Sequence, residues 1–235
     1  MAEQFQIDVS FDFRTDATGP DVDSSSPTLK RFHQNLWSKE LPNGEVLALS
    51  DNGRGTYLTY EQGERIFYLS SDSISNSYRN NKRMFGIVKD IDALAAKFQD
   101  IGNTIGGYII FPSKSDEKGM SINQERGVNH KIADRFDLTL ECIRLHYLSQ
   151  RNPLELVLKR SAEYFRLFAT FHDYVKFFHL DDLVGANYDS INFFLSPDGF
   201  ARGGLPQTQE EYLRYMEKSI EFTKKRNERI RSSCS

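Results

Sequence analysis

Between Ser121 and Leu148 the apolar residues recur with the period of a helix. Ile132, Phe136, Leu140, Ile143 and Tyr147 are spaced by four, four, three and four, and Leu138, Cys142 and Leu145 form a second stripe. The pattern predicts one buried helix here, with residues from about 129 to 148 as a central strut. At about 100° per residue, Arg135, Thr139 and His146 fall in the narrow gap between the stripes. Asp134, Asp137, Glu141 and Arg144 fall on the freer face. A cation bracketed by apolar stripes needs an acceptor, because an unpaired buried charge costs several kcal/mol or more.

Other patterns fill in the rest. Phe5, Ile7, Val9, Phe11 and Phe13 alternate, which predicts a strand. Ser26 followed by Pro27 starts a helix running through TLKRFHQNLWS to Ser38, with Leu29, Phe32 and Leu36 on one face. Three runs, EVLALS, TYLTY and RIFYLS, separated by turns at Asp51-Asn52-Gly53 and Glu61-Gln62-Gly63, predict a meander from Glu45 to Ser70. A polar linker, SDSISNSYRNNKR, then leads to a helix from Ile87 to Ile101 and a strand, GGYIIFP. After Ser121 the pattern is mainly helical: LELVLKRSAEYFRLFATF after Pro153, HDYVKFFHLDDLV closed by Gly185, and a last helix capped by Thr208 and Glu211 and reaching about Arg231. The expectation is α+β: one domain over residues 1–235, with a small antiparallel sheet in a β-rich half (1–112) packed against a helical half (121–235).

Composition adds limits. The chain has 235 residues, 39% hydrophobic, with 18 Phe and 11 Tyr to fill a core. A formal charge of −3 gives no global field to recruit nucleic acid or an anionic membrane. No apolar run approaches the roughly 20 residues of a membrane span, and the N-terminus has no secretory pattern. The only cysteines, Cys142 and Cys234, lie far apart in the chain, so no structural bridge is expected and no zinc-ligand spacing is present. A reduced, cytoplasmic protein is expected.

Asn123, Arg126, Asn129, His130 and Arg135 form the leading candidate site. Arg126 precedes the strut, where free N–H groups favour a phosphate or carboxylate. Arginine supplies a bidentate fork, and histidine can donate or carry a proton. Trp37, beside Lys39 and downstream of His33, is a candidate stacking ring. If Arg135 instead meets a structural acid, Asp12 and Asp16 are the candidates. The acidic loop with Asp12, Asp16, Asp21 and Asp23 could offer carboxylates to a hard cation but lacks the glycine and terminal glutamate of a calcium loop and reads as solvated. Arg166 and His172 make an R-x5-H pair, similar in spacing to the helical HEPN ribonucleases. The run KKRNERIR reads as a complement to the dipole of the last helix.

The strings FDFRTD, SPTLKRFHQNLWSKELPNGE, YLSSDS, IGGYIIFP and SINQERGVNHKIADRFDLTLECIRLHY, continuing through PLELVLKRSAEYFRLFATFHDYVKFFHLDDLV, resemble an uncharacterised bacterial family, a domain of unknown function. The resemblance covers most of the chain and implies one intact domain, but no activity. The expected function is recognition of an anionic ligand, a nucleotide or a nucleic-acid end, between the halves and without a cofactor. Arg126 and Arg135 would pair with phosphate, His130 would donate or shuttle a proton, Trp37 would stack, and Asn123 would stand beside them. The alternatives are a non-catalytic interaction module and a HEPN-like ribonuclease using Arg166 and His172. The oligomeric state is left open.

Overall fold

The opening alternation does not form a strand. In the computed structural model, which describes residues 6–53, 57–88, 91–113, 119–195 and 200–234, the chain from Gln6 to Asp12 is irregular and ends in a single 3-10 turn at Phe13–Thr15. Phe5 lies outside the described residues. Asp8 accepts from the Ser10 amide and Asp12 from the Arg14 amide, so side chains compete with strand pairing for the backbone. The apolar alternation is still used: Ile7, Val9 and Phe13 are buried.

Helix α1 (Val22–Ser25) is one turn, and α2 (Pro27–Trp37) starts as its sequence implies. Ser26 Oγ accepts from the Leu29 amide at 3.1 Å. Asp16 adds a second cap, taking the Ser26 hydroxyl at 2.5 Å and the Thr28 amide at 2.9 Å.

The sheet is antiparallel in the order β1 (Leu58–Gln62), β2 (Arg65–Ser73), β3 (Tyr108–Pro112), with Tyr60 opposite Phe67 and Ser71 opposite Ile110. The EVLALS run contributes only isolated pairings, Glu40 with Val46 and Ser50 with Thr59. Its Leu47 amide is taken by the Lys39 carbonyl and its Leu49 amide by Ser38 Oγ, so the run docks on the end of α2 instead of extending the sheet. Helix α3 (Asp92–Gly102) starts later than predicted.

The largest correction concerns the strut. Residues 121–148 form two helices, α4 (Ile122–Val128) and α5 (Phe136–Tyr147), separated by a turn in which Ala133 and Asp134 take φ of 48° and 62°. Four of the five residues of the first apolar stripe, Ile132, Phe136, Leu140 and Ile143, are nevertheless fully buried, and Tyr147 is half-buried. The stretch after Pro153 likewise divides at Ser161 into α6 (Glu155–Arg160) and α7 (Ala162–Phe165), followed by α8 (Phe171–Phe177). The last helix, α9 (Gln209–Ser233), is capped by Thr208, but Glu211 returns to the Gln207 amide and not to Thr208.

Helix α9 ties the two halves together. Asn227 takes the Gly106 amide at 2.7 Å and donates to Thr104 at 2.7 Å. A β-carbon at Gly106 would stand 2.5 Å from the Thr223 carbonyl, so this contact requires glycine. One cluster of buried apolar residues draws on both halves, and the architecture is α+β. A fragment covering residues 121–235 should therefore fail to unfold cooperatively in urea, because it exposes the apolar surface that β3 covers. A sharp transition from that fragment would show that the helical half is an independent unit.

Candidate functional site

Arg126 lies in the last turn of α4, not at the start of a helix, and its side chain is fully buried. Nε donates to Thr139 Oγ1 at 3.1 Å and Nη1 to Asp72 and, at 3.2 Å, to the Ser73 carbonyl. Nη2 donates to the Asp134 carbonyl at 3.2 Å. The Asp134 carboxylate stands 3.4 Å away, and the rings of Phe111 and Phe136 cover the guanidinium at 5.8 and 5.9 Å. Burial pushes the Asp72 carboxyl up to about 6 against the pull of Arg126, and the pair is charged at neutral pH.

Arg135 is 1% exposed and meets Asp137, with Nε at 3.1 Å and Nη2 at 2.6 Å from its two oxygens. Asp137 also accepts from the Phe194 amide at 2.9 Å. This corrects two expectations: the acid is neither Asp12 nor Asp16, and Asp137 does not lie on a free face. Asp12 pairs with Arg14 at 2.5 Å near the surface. The helix break explains the difference, because Arg135 precedes the first turn of α5 and Asp137 sits inside it, against the segment around Phe194.

Asn123 joins α4 to β2 by donating to Ser70 Oγ and the Ser71 carbonyl. Trp37 is fully buried, its ring 5.0 Å from that of Phe178. Of the six candidate residues, Arg126, Arg135 and Trp37 are buried, Asn123 and Asn129 are half-buried, and His130 is exposed.

His130 lines a cleft of about 760 Å³ walled by parts of residues 76–87, 127–134 and 203–207, and so lying between the two halves. Three non-glycine residues on its walls have left-handed backbone, Tyr78 at 54° together with Ala133 and Asp134 at 48° and 62°. Such conformations cost on the order of 1–3 kcal/mol each and persist only where the surroundings enforce them. Here the enforcing bonds are explicit. Tyr78 donates to the Ala133 carbonyl at 2.8 Å, Asn76 Nδ2 to Asp134 at 2.7 Å, and the Asn76 amide to Tyr215 at 2.9 Å. The polar linker is thus pinned. It carries Arg79 and Arg83 into the cleft, both exposed and neither in an ion pair with a described residue. Asn80, Asn81, Asn129 and Gln207 add amides, and Met84, Ile87, Val128, Leu205 and Pro206 add apolar surface.

The sequence profile of the family of unknown function DUF6994 matches residues 7–230. The chain belongs to that family. No curated protein and no solved structure matches it.

In this DUF6994 chain the R-x5-H residues do not share a helix. Arg166 follows α7 with its side chain 70% exposed and paired to Glu163, whereas His172 sits on α8 with its ring 4.4 Å from that of Tyr188. Among the described residues no group of three or more His, Cys, Asp or Glu is placed to hold a metal ion, and no helix is long and apolar enough to cross a membrane.

Two features escaped the sequence reading. Arg226 and Asn227, within the run read as a dipole complement, are buried. They continue the spacing of Tyr212, Tyr215, Met216, Ser219, Phe222 and Thr223, which was the available signal. Asp23, read as solvated, is pushed up to about 8 by burial and by the neighbouring Asp21 and Asp72. The native state therefore holds a proton that the unfolded chain releases near pH 4, and the stability this contributes is lost as pH rises through about 8. His33 and His179, pulled down to about 3 mainly by burial, act in the opposite sense only below about 6.5. Between pH 6.5 and 8 wild type should lose on the order of 1–2 kcal/mol of stability relative to Asp23→Asn, since the histidines and Lys39, lowered to about 8 by burial, act equally in both proteins. Urea unfolding at the two pH values checks this, and equal slopes for both proteins would contradict it.

Proposed function

We propose that this protein binds an anionic small molecule, of the nucleotide or phosphorylated-metabolite class, in the cleft between its halves. The observation that carries the reading is that Arg79 and Arg83, on a segment held by the left-handed Tyr78, are cations with no carboxylate partner among the described residues. Arg126 and Arg135 already satisfy carboxylates and fix the walls, so the phosphate role passes from them to Arg79 and Arg83. His130 and the amides of Asn80, Asn129 and Gln207 supply further donors, while Val128, Leu205 and Pro206 suit a ring or other apolar portion. The cleft volume of about 760 Å³ falls in the range of small-molecule sites.

Thermal unfolding against pyrophosphate, mononucleotides, sugar phosphates and short oligoribonucleotides tests the proposal. A ligand at 100 times its dissociation constant should add about 2.7 kcal/mol. No shift with any member of the panel at millimolar concentration would sink it.

A further inference from the structure

Two cations flank the buried ring of Trp37, Lys39 Nζ at 5.0 Å and Arg226 Cζ at 5.7 Å, and neither meets a carboxylate among the described residues. Carbonyls offset part of this charge. Lys39 donates to Phe177 at 2.7 Å, and Arg226 donates to Phe178 at 3.0 Å, Gly106 at 2.9 Å and Tyr108 at 2.6 Å. The Phe177 and Phe178 carbonyls stand at the negative end of α8.

Trp37 and Tyr174 both pack on Phe178, with Arg226 over the Trp37 ring, and four polar atoms of these elements have no hydrogen-bond partner among the described residues: Arg226 Nη2, Trp37 Nε1, His33 Nε2 and Tyr174 Oη. All four side chains are fully buried. They come from three elements, with His33 and Trp37 one turn apart on α2, Tyr174 on α8 and Arg226 on α9. Burial pushes the Tyr174 hydroxyl up and the His33 imidazole down, and the Arg226 charge is near enough to both to favour the ionised phenol and the neutral imidazole. Guanidinium and indole N–H groups have no acceptor of their own, so whatever satisfies them must bring one.

We propose that this interior binds a small monovalent anion of halide size, accepting from Arg226 Nη2 and Trp37 Nε1, with Tyr174 and His33 completing its shell. A single negative charge answers a guanidinium whose only acceptors among the described residues are carbonyls, beside a second cation at Lys39. A dianion such as phosphate would carry a far larger desolvation cost into a closed interior. The site is separate from the cleft, and its success or failure does not depend on the function proposed there.

The test uses the full chain in chloride-free buffer, with sodium gluconate, chloride or bromide at equal ionic strength, together with crystals grown in bromide. The expected result is an anomalous bromide peak within hydrogen-bond reach of Arg226 Nη2. Tm should also be about 2–4 °C higher in either halide than in gluconate, with the difference reduced in Tyr174→Phe, which removes only a hydroxyl. A water at that position, or the same Tm in all three salts, overturns the proposal. Should Tyr174→Phe fold poorly, the wild-type bromide map decides alone.

Discussion

Arg126→Met should destabilise the protein by about 3–5 kcal/mol. The substitution keeps much of the side-chain volume between the rings of Phe111 and Phe136 but leaves Asp72 buried without its cation. It also strips the Ser73 and Asp134 carbonyls of their donor, and these bonds hold α4 both to the sheet and to the turn before α5. Replacing Asp72 by leucine in the same chain should recover a good part of the loss, because removing a whole buried pair costs less than orphaning one member. Urea unfolding of the two variants is the check. A loss below 1 kcal/mol for Arg126→Met would mean that the guanidinium is not the strut described here.

Phe136→Ala should cost about 3–5 kcal/mol by opening a cavity in the core. Phe136 is fully buried as the first residue of α5, its ring 6.4 Å from that of Phe111 and 5.9 Å from the Arg126 guanidinium. Because the two side chains touch, the double variant should not be additive, and a coupling of about 0.5–3 kcal/mol is expected. Strict additivity in the cycle would place the residues in independent environments and contradict the packing.

What could be read from the chain was largely what periodicity controls. The buried stripe from Ile132 to Ile143, the cap at Ser26, the hairpin around Gly63 and the strand at Tyr108 each follow from a local pattern, and each is present. The failures share a cause: a side chain taking up backbone or charge in a way that no local period records. Asp8 and Asp12 turn an alternating segment away from strand pairing. Asn76, Tyr78 and Arg126 hold Ala133 and Asp134 in left-handed backbone, breaking a helix in a stretch that contains neither proline nor glycine at the break.

The candidate site was legible only in part. That Arg135 would be buried follows from its place between apolar stripes, but its acid lies two residues away, and only the helix break makes that geometry available. His130 was singled out and does line the cleft. Arg79 and Arg83 sit in a polar run with no period, and nothing local reveals that Tyr78 pins them against residues more than fifty positions later.

The most direct test of the account is the dissociation constant of the tightest ligand from the thermal panel, measured by titration calorimetry for wild type and for the Arg79→Ala/Arg83→Ala double variant. Both side chains are exposed, so the fold should be unaffected, and the loss of two charge-assisted contacts of about 1.5–3 kcal/mol each should weaken binding by at least a hundredfold. Wild-type affinity in the double variant would contradict the account and place the ligand elsewhere on the molecule.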